Sequence, residues 1–111
     1  MLPLKCRLKK RADIDRVFKK GKAFNAGFLI LKALPNDLSW TRVAFSVSLK
    51  VSQKAVARNK IKRRLSEIAR AVIINLRTPS DVVFIALPEI KEKSVKEIKE
   101  LVEKVFPKCS K

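Results

Sequence analysis

The sequence has no histidine, and its 111 residues include only two cysteines. Without histidine, no site in this chain can use an imidazole as general base, as partner of a nucleophile or as metal ligand. A structural metal site needs about four ligands, which Cys6 and Cys109 near opposite ends cannot supply. Two free thiols in a reducing compartment are therefore expected, with a disulfide between the two ends as the alternative.

Long apolar runs are also missing from the chain. The longest one, residues 82–87, is far shorter than the roughly 20 residues that span a bilayer. Residues 1–7 lack the apolar stretch of a signal peptide. We therefore expect a cytoplasmic protein with no membrane contact. At this length, with 47% apolar residues, it should form a single domain over residues 1–111 with one core.

Acidic residues are scarce, since 27 Lys and Arg face 10 Asp and Glu, for a formal net charge of +17. The excess is concentrated in two segments. Residues 1–22 carry nine basic and two acidic groups, and residues 50–77 carry nine basic groups and only Glu67. Residues 78–111 are nearly balanced, with seven basic and six acidic groups. This distribution predicts a polyanionic partner that touches the first and third segments but not the last.

Periodicity and turn residues predict an order of helix, strands, helix, strand and helix. Asp13 can cap the first helix, and Gly21 ends it as a C′ residue. The later elements are predicted as strands over residues 28–34 and 40–49, a helix over residues 53–76 capped by Ser52, a strand over residues 81–87, and a last helix. A strand–helix–strand unit at the centre indicates an α/β or α+β layered sandwich.

Two amphipathic patterns support this assignment. The strand over residues 40–49 alternates, and its predicted core face consists of Val43, Phe45, Val47 and Leu49. The last helix begins with a capping box, Ser94 to Glu97, and its apolar stripe consists of Val95, Ile98, Val102 and Val105.

The densest basic stretch falls within the predicted helix over residues 53–76. At about 100° per residue, one side of this helix is apolar and consists of Ala57, Ile61, Leu65, Ile68, Ala69, Val72 and Leu76. The opposite side, the cationic ridge, consists of Asn59, Lys60, Lys62, Arg63 and Arg70, with Arg64 at its border and Arg58 beyond the end of the core. Cations fixed on a helix lose less entropy on meeting phosphates than cations on a flexible tail.

The alternative interpretation of the ridge is an ordinary solvated helix face. Such faces usually alternate Glu with Lys at i,i+4, whereas here only Arg63 and Glu67 form such a pair. Phe18 likewise has two interpretations: it is either a core residue or an exposed stacking platform for single-stranded nucleic acid beside Lys10. Residues 1–8 are predicted to be a flexible basic arm.

These residues resemble a known family. The segment Arg58-Asn59-Lys60-Ile61-Lys62-Arg63 is similar to the RNR signature of the bacterial ribonuclease P protein component. It follows residues 46–51, where that family has its small-residue strand, and residues 12–21, which resemble the family's first helix with its final glycine. Three motifs in this order extend the resemblance over about residues 4–107.

The resemblance implies a fold and a set of partners. The implied fold has the order α-β-β-β-α-β-α, with a four-stranded sheet, a short strand near residues 22–26 and a left-handed crossover through the RNR helix. The implied partners are a large catalytic RNA and precursor tRNA, with no obligate protein partner. The holoenzyme would remove the 5′ leader of precursor tRNA, and Mg²⁺ would be bound mainly by the RNA and not tightly by the protein.

The resemblance also implies site residues. Contacts with the catalytic RNA would come from Arg58, Asn59, Lys60, Lys62, Arg63 and Arg64. A cleft between the first helix and the sheet would hold the single-stranded leader, lined by Lys10, Ile14, Phe18, Leu29, Leu31 and Ser46. The family often has aromatic residues where Ile14 and Leu31 stand, so stacking in the cleft should depend mainly on Phe18.

The sequence offers no hydrolytic site in the protein itself. Without histidine, a nuclease would need clustered carboxylates to hold Mg²⁺. Asp13 and Asp15 lie two residues apart on the predicted first helix, so they point to different sides. We therefore expect an accessory subunit with no catalytic residue. The alternatives are a non-enzymatic basic RNA-binding protein of ribosomal or chromatin type, and a nuclease that acts without an RNA subunit.

Overall fold

The computed structural model describes residues 6–38, 40–72 and 79–106. Its elements are α1 (Arg11–Lys20), β1 (Lys22–Asn25), β2 (Leu29–Pro35), β3 (Arg42–Ser46), α2 (Ala55–Val72), β4 (Ser80–Ala86), a 3₁₀ turn (Pro88–Glu92) and α3 (Val95–Val105). The predicted order α-β-β-β-α-β-α is confirmed, including the short β1, which only the resemblance implied. Among the described residues, no helix is long and apolar enough to cross a membrane.

The four strands form one mixed sheet in the order β1-β2-β4-β3. β2 pairs antiparallel with both β1 and β4, whereas β3 pairs parallel with β4. The parallel pair needs a crossover connection, which α2 provides. The left hand of this crossover stays an expectation of the resemblance. β3 is an edge strand, and its outer side is met by the N-terminal segment, where the Leu8 N–H donates to the Val43 carbonyl at 2.9 Å.

The two faces of the sheet carry cores of very different size. The face toward α2 and α3 closes over a large apolar cluster, which includes Leu29, Leu31, Val43, Ile61, Leu65, Phe84, Ile98, Val102 and Phe106. The face toward α1 has a small cluster whose buried members, among the described residues, are Leu8, Val17 and Val83. Successive strand residues point to opposite faces, so neighbours in sequence belong to different cores.

The apolar stripe predicted for α2 is confirmed where the structure describes it. Ile61, Leu65, Ile68, Ala69 and Val72 are buried, and Ala57 near the start of the helix is half-buried. Residues 73–76 of the predicted helix, including Leu76, lie outside the described residues. Ser94 is confirmed as the N-cap of α3, since its Oγ accepts from the Glu97 N–H at 3.2 Å; the Glu97 carboxylate accepts in turn from the Ser94 hydroxyl at 3.3 Å.

Three local predictions are wrong. Lys10, not Asp13, occupies the N-cap position of α1, which places Asp13 in the first turn. α2 begins at Ala55, because the Ser52 hydroxyl accepts from the Lys54 N–H in a turn before the helix. Leu49 is 65% exposed because β3 ends at Ser46, three residues before it.

The N-terminal segment also differs from prediction. Residues 6–8 are not a free arm, because Cys6 and Leu8 are buried and Arg7 bridges to β3. Cys6 is a free thiol. Residues 1–5 and Cys109 lie outside the described residues.

Gly21 ends α1, but not in the left-handed conformation typical of a C′ glycine. Its φ of −72° and ψ of 156° are ordinary extended values. The constraint is space, because a Cβ here would lie 2.5 Å from the Val17 carbonyl oxygen and 3.0 Å from that of Ala33. Glycine therefore lets the end of α1 lie directly against β2.

Candidate nucleic-acid interface

The buried stripe of α2 fixes the direction in which its polar side points. Since Ile61, Leu65 and Ile68 face the sheet core, the cationic ridge points away from it. Asn59, Lys60, Lys62, Arg63 and Arg70 are all exposed, while Arg64 is half-buried at the border, as predicted.

In the described part of the chain, the ion pairs lie away from the ridge cations Lys60, Lys62 and Arg63. Within the described ranges, the ion pairs join Arg42 and Arg16 to acids of α1 and β4, or lie along α3 and the turn before it. None of these pairs involves Lys60, Lys62 or Arg63. Arg58 differs from its neighbours, because its Nη1 donates to the Ser52 carbonyl at 2.9 Å. It therefore braces the turn that precedes α2, and part of its donor capacity is used within the protein.

An open groove of about 580 Å³ runs along the β3 edge between the N-terminal segment and α2. α2 contributes its polar side to one wall, through Asn59, Lys62, Arg63 and Ser66. The opposite wall and the floor consist of Arg7, Leu8, Lys9, Ile14, Val43, Ala44 and Phe45. Four cations around a partly apolar floor suit a ligand that carries both phosphates and exposed bases.

The predicted leader cleft is only partly correct. Ile14 lines the groove, but Leu29 and Leu31 are fully buried in the core on the α2 and α3 side. These two residues cannot line a surface cleft against α1, and the prediction is wrong for both. The strand residues on the α1 side are the alternate ones, Ile30 and Lys32, because a shift of one residue moves a strand side chain to the opposite face.

Lys32 is the functional candidate that sequence reasoning missed. Its Nζ lies 5.2 Å from the centre of the Phe18 ring and donates to the Phe18 carbonyl at 3.3 Å. Phe18 itself is 38% exposed, so the ring is an accessible platform beside a cation. Lys32 is the only charged residue in β2. Its charge is the sequence signal that marks the solvent-facing side of this otherwise apolar strand.

The remaining cleft residues lie around this surface. Ile14 and Phe18 are one helical turn apart on α1, so the surface continues from the groove along α1 to Lys32. Lys10 is exposed at the start of α1, where its carbonyl accepts from the Asp13 and Ile14 N–H groups at 3.1 Å. Ser46 is half-exposed at the end of β3 and points to the α1 side by strand alternation.

A partly buried ion-pair network, with Asp81 at its buried end, supports α1 under this surface. The Arg42 guanidinium binds Asp81 with two hydrogen bonds, of 2.8 Å from Nε and 2.7 Å from Nη2, and reaches Asp13 of α1 at 3.3 Å. The Asn36 amide also donates to Asp81, at 2.8 Å. The hydrogen bonds with Asp81 raise the pKa of Arg42 above its ordinary value, with the charges of Asp81 and Asp13 adding to the effect.

The same network determines what Asp13 and Asp81 can do chemically. Both carboxylates are held by guanidinium groups, Asp13 by Arg42 and, at 3.9 Å, by Arg16. In the described part of the chain, no three Asp, Glu or Cys side chains come together as a possible metal site. The chemistry that this surface can perform is the binding of a polyanion and of unstacked bases.

The fold and this surface define a small, basic α+β nucleic-acid-binding protein. Comparisons with known proteins are more specific, since the family model described as Ribonuclease P matches residues 2–110. The ribonuclease P protein component of Caldanaerobacter subterraneus subsp. tengcongensis is 39% identical over 102 residues, which cover 92% of this chain and 87% of the relative. That of Clostridioides difficile is also 39% identical, over 92 residues covering 82% of this chain and 80% of the relative.

Solved structures match in the same way. An RNase P protein mutant of Staphylococcus aureus with defective mRNA degradation activity aligns with a TM-score of 0.84 at 30% identity, covering 92% of this chain and 86% of that one. The RNase P protein of Thermotoga maritima aligns with a TM-score of 0.83 at 25% identity, covering 92% of this chain and 96% of that one. The chain belongs to the ribonuclease P protein component family, whose members are accessory subunits of the RNase P endoribonuclease. This result favours the main interpretation over a ribosomal or chromatin-type protein.

Proposed function

We propose that this protein binds the catalytic RNA of ribonuclease P through the cationic ridge of α2 and holds the single-stranded 5′ leader of precursor tRNA along α1. The observation that carries the proposal is the groove at the β3 edge. In it, Asn59, Lys62 and Arg63 face Ile14 of α1 across one continuous surface. RNA-binding and leader-binding groups therefore meet in one place, next to the Phe18 platform.

Two physical effects follow from this arrangement. Cations that neutralise RNA phosphates release counterions, which favours assembly and makes it depend strongly on salt. Contacts with the leader raise the affinity for precursor tRNA but not for mature tRNA, since the mature product has no leader. The protein thus favours binding of substrate over product, and the cleavage itself takes place in the RNA.

Mg²⁺ belongs to the RNA in this proposal. Asp13 and Asp81 are engaged by Arg42, and the charged residues that line the groove are cations, so the protein contributes cations and not metal ligands. The protein acts in the cytoplasm, and no second protein is required for its function.

The leader part is tested by comparing precursor tRNA with mature tRNA. Their dissociation constants are measured for the catalytic RNA alone and for the holoenzyme. We expect the holoenzyme to bind the precursor more tightly than the mature tRNA, and the RNA alone to distinguish them less. Equal discrimination with and without the protein would exclude leader binding by this chain.

The ridge part is tested by assembly of the protein with the catalytic RNA. Lys62→Ala and Arg63→Ala should each weaken assembly and lower the salt slope by about 0.7–0.9, the value for one lost phosphate contact. Lys96→Ala is the matched control, because Lys96 is an exposed lysine of α3 that lines neither wall of the groove. Unchanged assembly in both ridge variants would contradict the proposed role of α2.

A further inference from the structure

The cations of α2 do not form one surface. Asn59, Lys62 and Arg63 line the groove at the β3 edge, whereas Lys60 and Arg64 line a separate, smaller groove of about 220 Å³ on the other flank of α2. Lys60 and Arg64 are four residues apart and therefore adjacent on one side of the helix. α2 thus separates two basic grooves.

The second groove is completed from the C-terminal third of the chain. Lys91, in the 3₁₀ turn before α3, provides the third cation, and none of the described residues that line the groove is acidic. The backbone of this turn is held in place, because Ile90 is buried and its N–H donates to the Leu87 carbonyl at 3.0 Å. Lys91 therefore extends from a fixed position toward Lys60 and Arg64.

The floor of this groove is apolar and consists of Ala57, Ile61, Ile90 and Ile98. An RNA duplex would offer phosphates and ribose hydroxyls here but no base face, because its bases are stacked inside the helix. An unpaired nucleotide offers both parts, namely a base face for the apolar floor and flanking phosphates for the three cations.

We propose that the groove between α2 and α3 binds one unpaired nucleotide of an RNA strand, with its base against the isoleucine floor and its phosphates at Lys60, Arg64 and Lys91. This inference rests on the proposed function, because the strand belongs to the RNA partner. It adds Lys91 to the RNA-contacting residues, although Lys91 belongs to the charge-balanced segment 78–111, which was not expected to touch the polyanionic partner. It also means that RNA passes α2 on both flanks.

The phosphate part is tested with Lys91→Ala in the full chain, by titrating the protein into the catalytic RNA at several salt concentrations. We expect binding about threefold weaker or more, and a salt slope smaller by about 0.7–0.9. Lys96→Ala is again the control, since it removes the same charge from the outer face of α3, two residues from buried Ile98. Equal effects of the two variants would mean a general charge effect and would overturn the proposal.

The base part is tested with Ala57→Leu, which fills the floor without changing charge and keeps a good helix-forming residue in the first turn of α2. We expect weaker RNA binding with an unchanged salt slope. Unchanged affinity would show that no base enters the groove and would overturn the proposal.

Failure of this inference can be distinguished from failure of the proposed function. If Arg63→Ala weakens RNA binding while Lys91→Ala and Ala57→Leu do not, the second groove has no RNA role and the first keeps its role. If none of the three variants changes RNA binding, both proposals are wrong.

Discussion

The two faces of the sheet are used differently, although they are made from the same strands. Toward α2 and α3, the sheet is covered by a continuous core that includes Leu31 and Phe84. Toward α1, three of the described residues form the buried cluster, and Phe18 and Lys32 remain accessible at the surface. One face therefore supplies most of the hydrophobic stabilisation, and the other is left open for a ligand.

The difference is clearest at adjacent residues of one strand. Leu31 and Lys32 are neighbours in β2, yet one is fully buried and the other lies beside the Phe18 ring. Substitutions on the first face should mainly change the free energy of unfolding. Substitutions of exposed residues on the second face should mainly change leader binding, whereas loss of Arg42, whose ion pairs hold α1 beneath that surface, should also change the free energy of unfolding. Four substitutions test this division, and they are given from the largest expected effect to the smallest.

Leu31→Ala should give the largest effect. It leaves a cavity in the closed core and should lower the free energy of unfolding by about 4 kcal/mol, as measured by urea denaturation. The matched control is Leu49→Ala, which removes the same atoms at a position that is 65% exposed and should cost less than about 0.5 kcal/mol. Similar losses of unfolding free energy for the two variants would contradict the conclusion that the closed face supplies most of the hydrophobic stabilisation.

Arg42→Ala should follow, with a loss of about 3 kcal/mol in the free energy of unfolding. It leaves the Asp81 carboxylate buried with Asn36 as its remaining partner, and it also releases Asp13. Arg16→Ala, which removes only the long, exposed contact with Asp13, should cost little. The raised pKa of Arg42 keeps the guanidinium charged throughout the neutral range, so its contribution to stability should be constant there and should be lost in strong alkali, as the pH rises through that pKa.

Phe18→Ala tests the open face. It should weaken binding of precursor tRNA by the holoenzyme by about 1–3 kcal/mol, the usual value for one stacked base. Binding of mature tRNA should not change, because that RNA has no leader. An equal loss for both RNAs would show that Phe18 acts on the protein's structure and does not contact the leader.

Lys32→Ala should give the smallest effect, about 0.5–1 kcal/mol in precursor binding, with little change in stability. Lys22→Ala is a suitable control, because it removes an exposed lysine from neighbouring β1. If Lys32→Ala instead destabilises the fold as much as Leu31→Ala, the two faces do not differ as proposed.

Sequence patterns predicted α2 and its exposed side well, because a helix with one apolar stripe has only one way to face a core. Ile61, Leu65 and Ile68 determine the orientation, and the directions of Lys62 and Arg63 then follow from 100° per residue. No comparable constraint acts on β2, where apolar residues occupy both faces. The choice of Leu29 and Leu31 for the cleft was therefore wrong by one residue, and only Lys32 marked the correct side.

Other features depended on contacts between distant segments. The bidentate pair of Arg42 and Asp81 joins residues 39 positions apart, so local patterns do not reveal it. The groove between α2 and α3 likewise depends on the 3₁₀ turn, which places Lys91 beside a helix about 30 residues earlier in the chain. Because residues 78–111 are nearly balanced in charge, the sequence pattern predicted no partner contact for this lysine.

The two glycines of this chain are favoured for different reasons, one by backbone conformation and the other by space. Gly27 has a φ of 92° and open space where a side chain would stand, so asparagine could replace it at moderate cost. Gly21 has an ordinary φ and no space at all. A mutational scan interpreted only through backbone angles would rank Gly21 as the replaceable one. Yet one added methyl group there would push the end of α1 away from β2, and would thereby move the Phe18 ring relative to Lys32 of that strand.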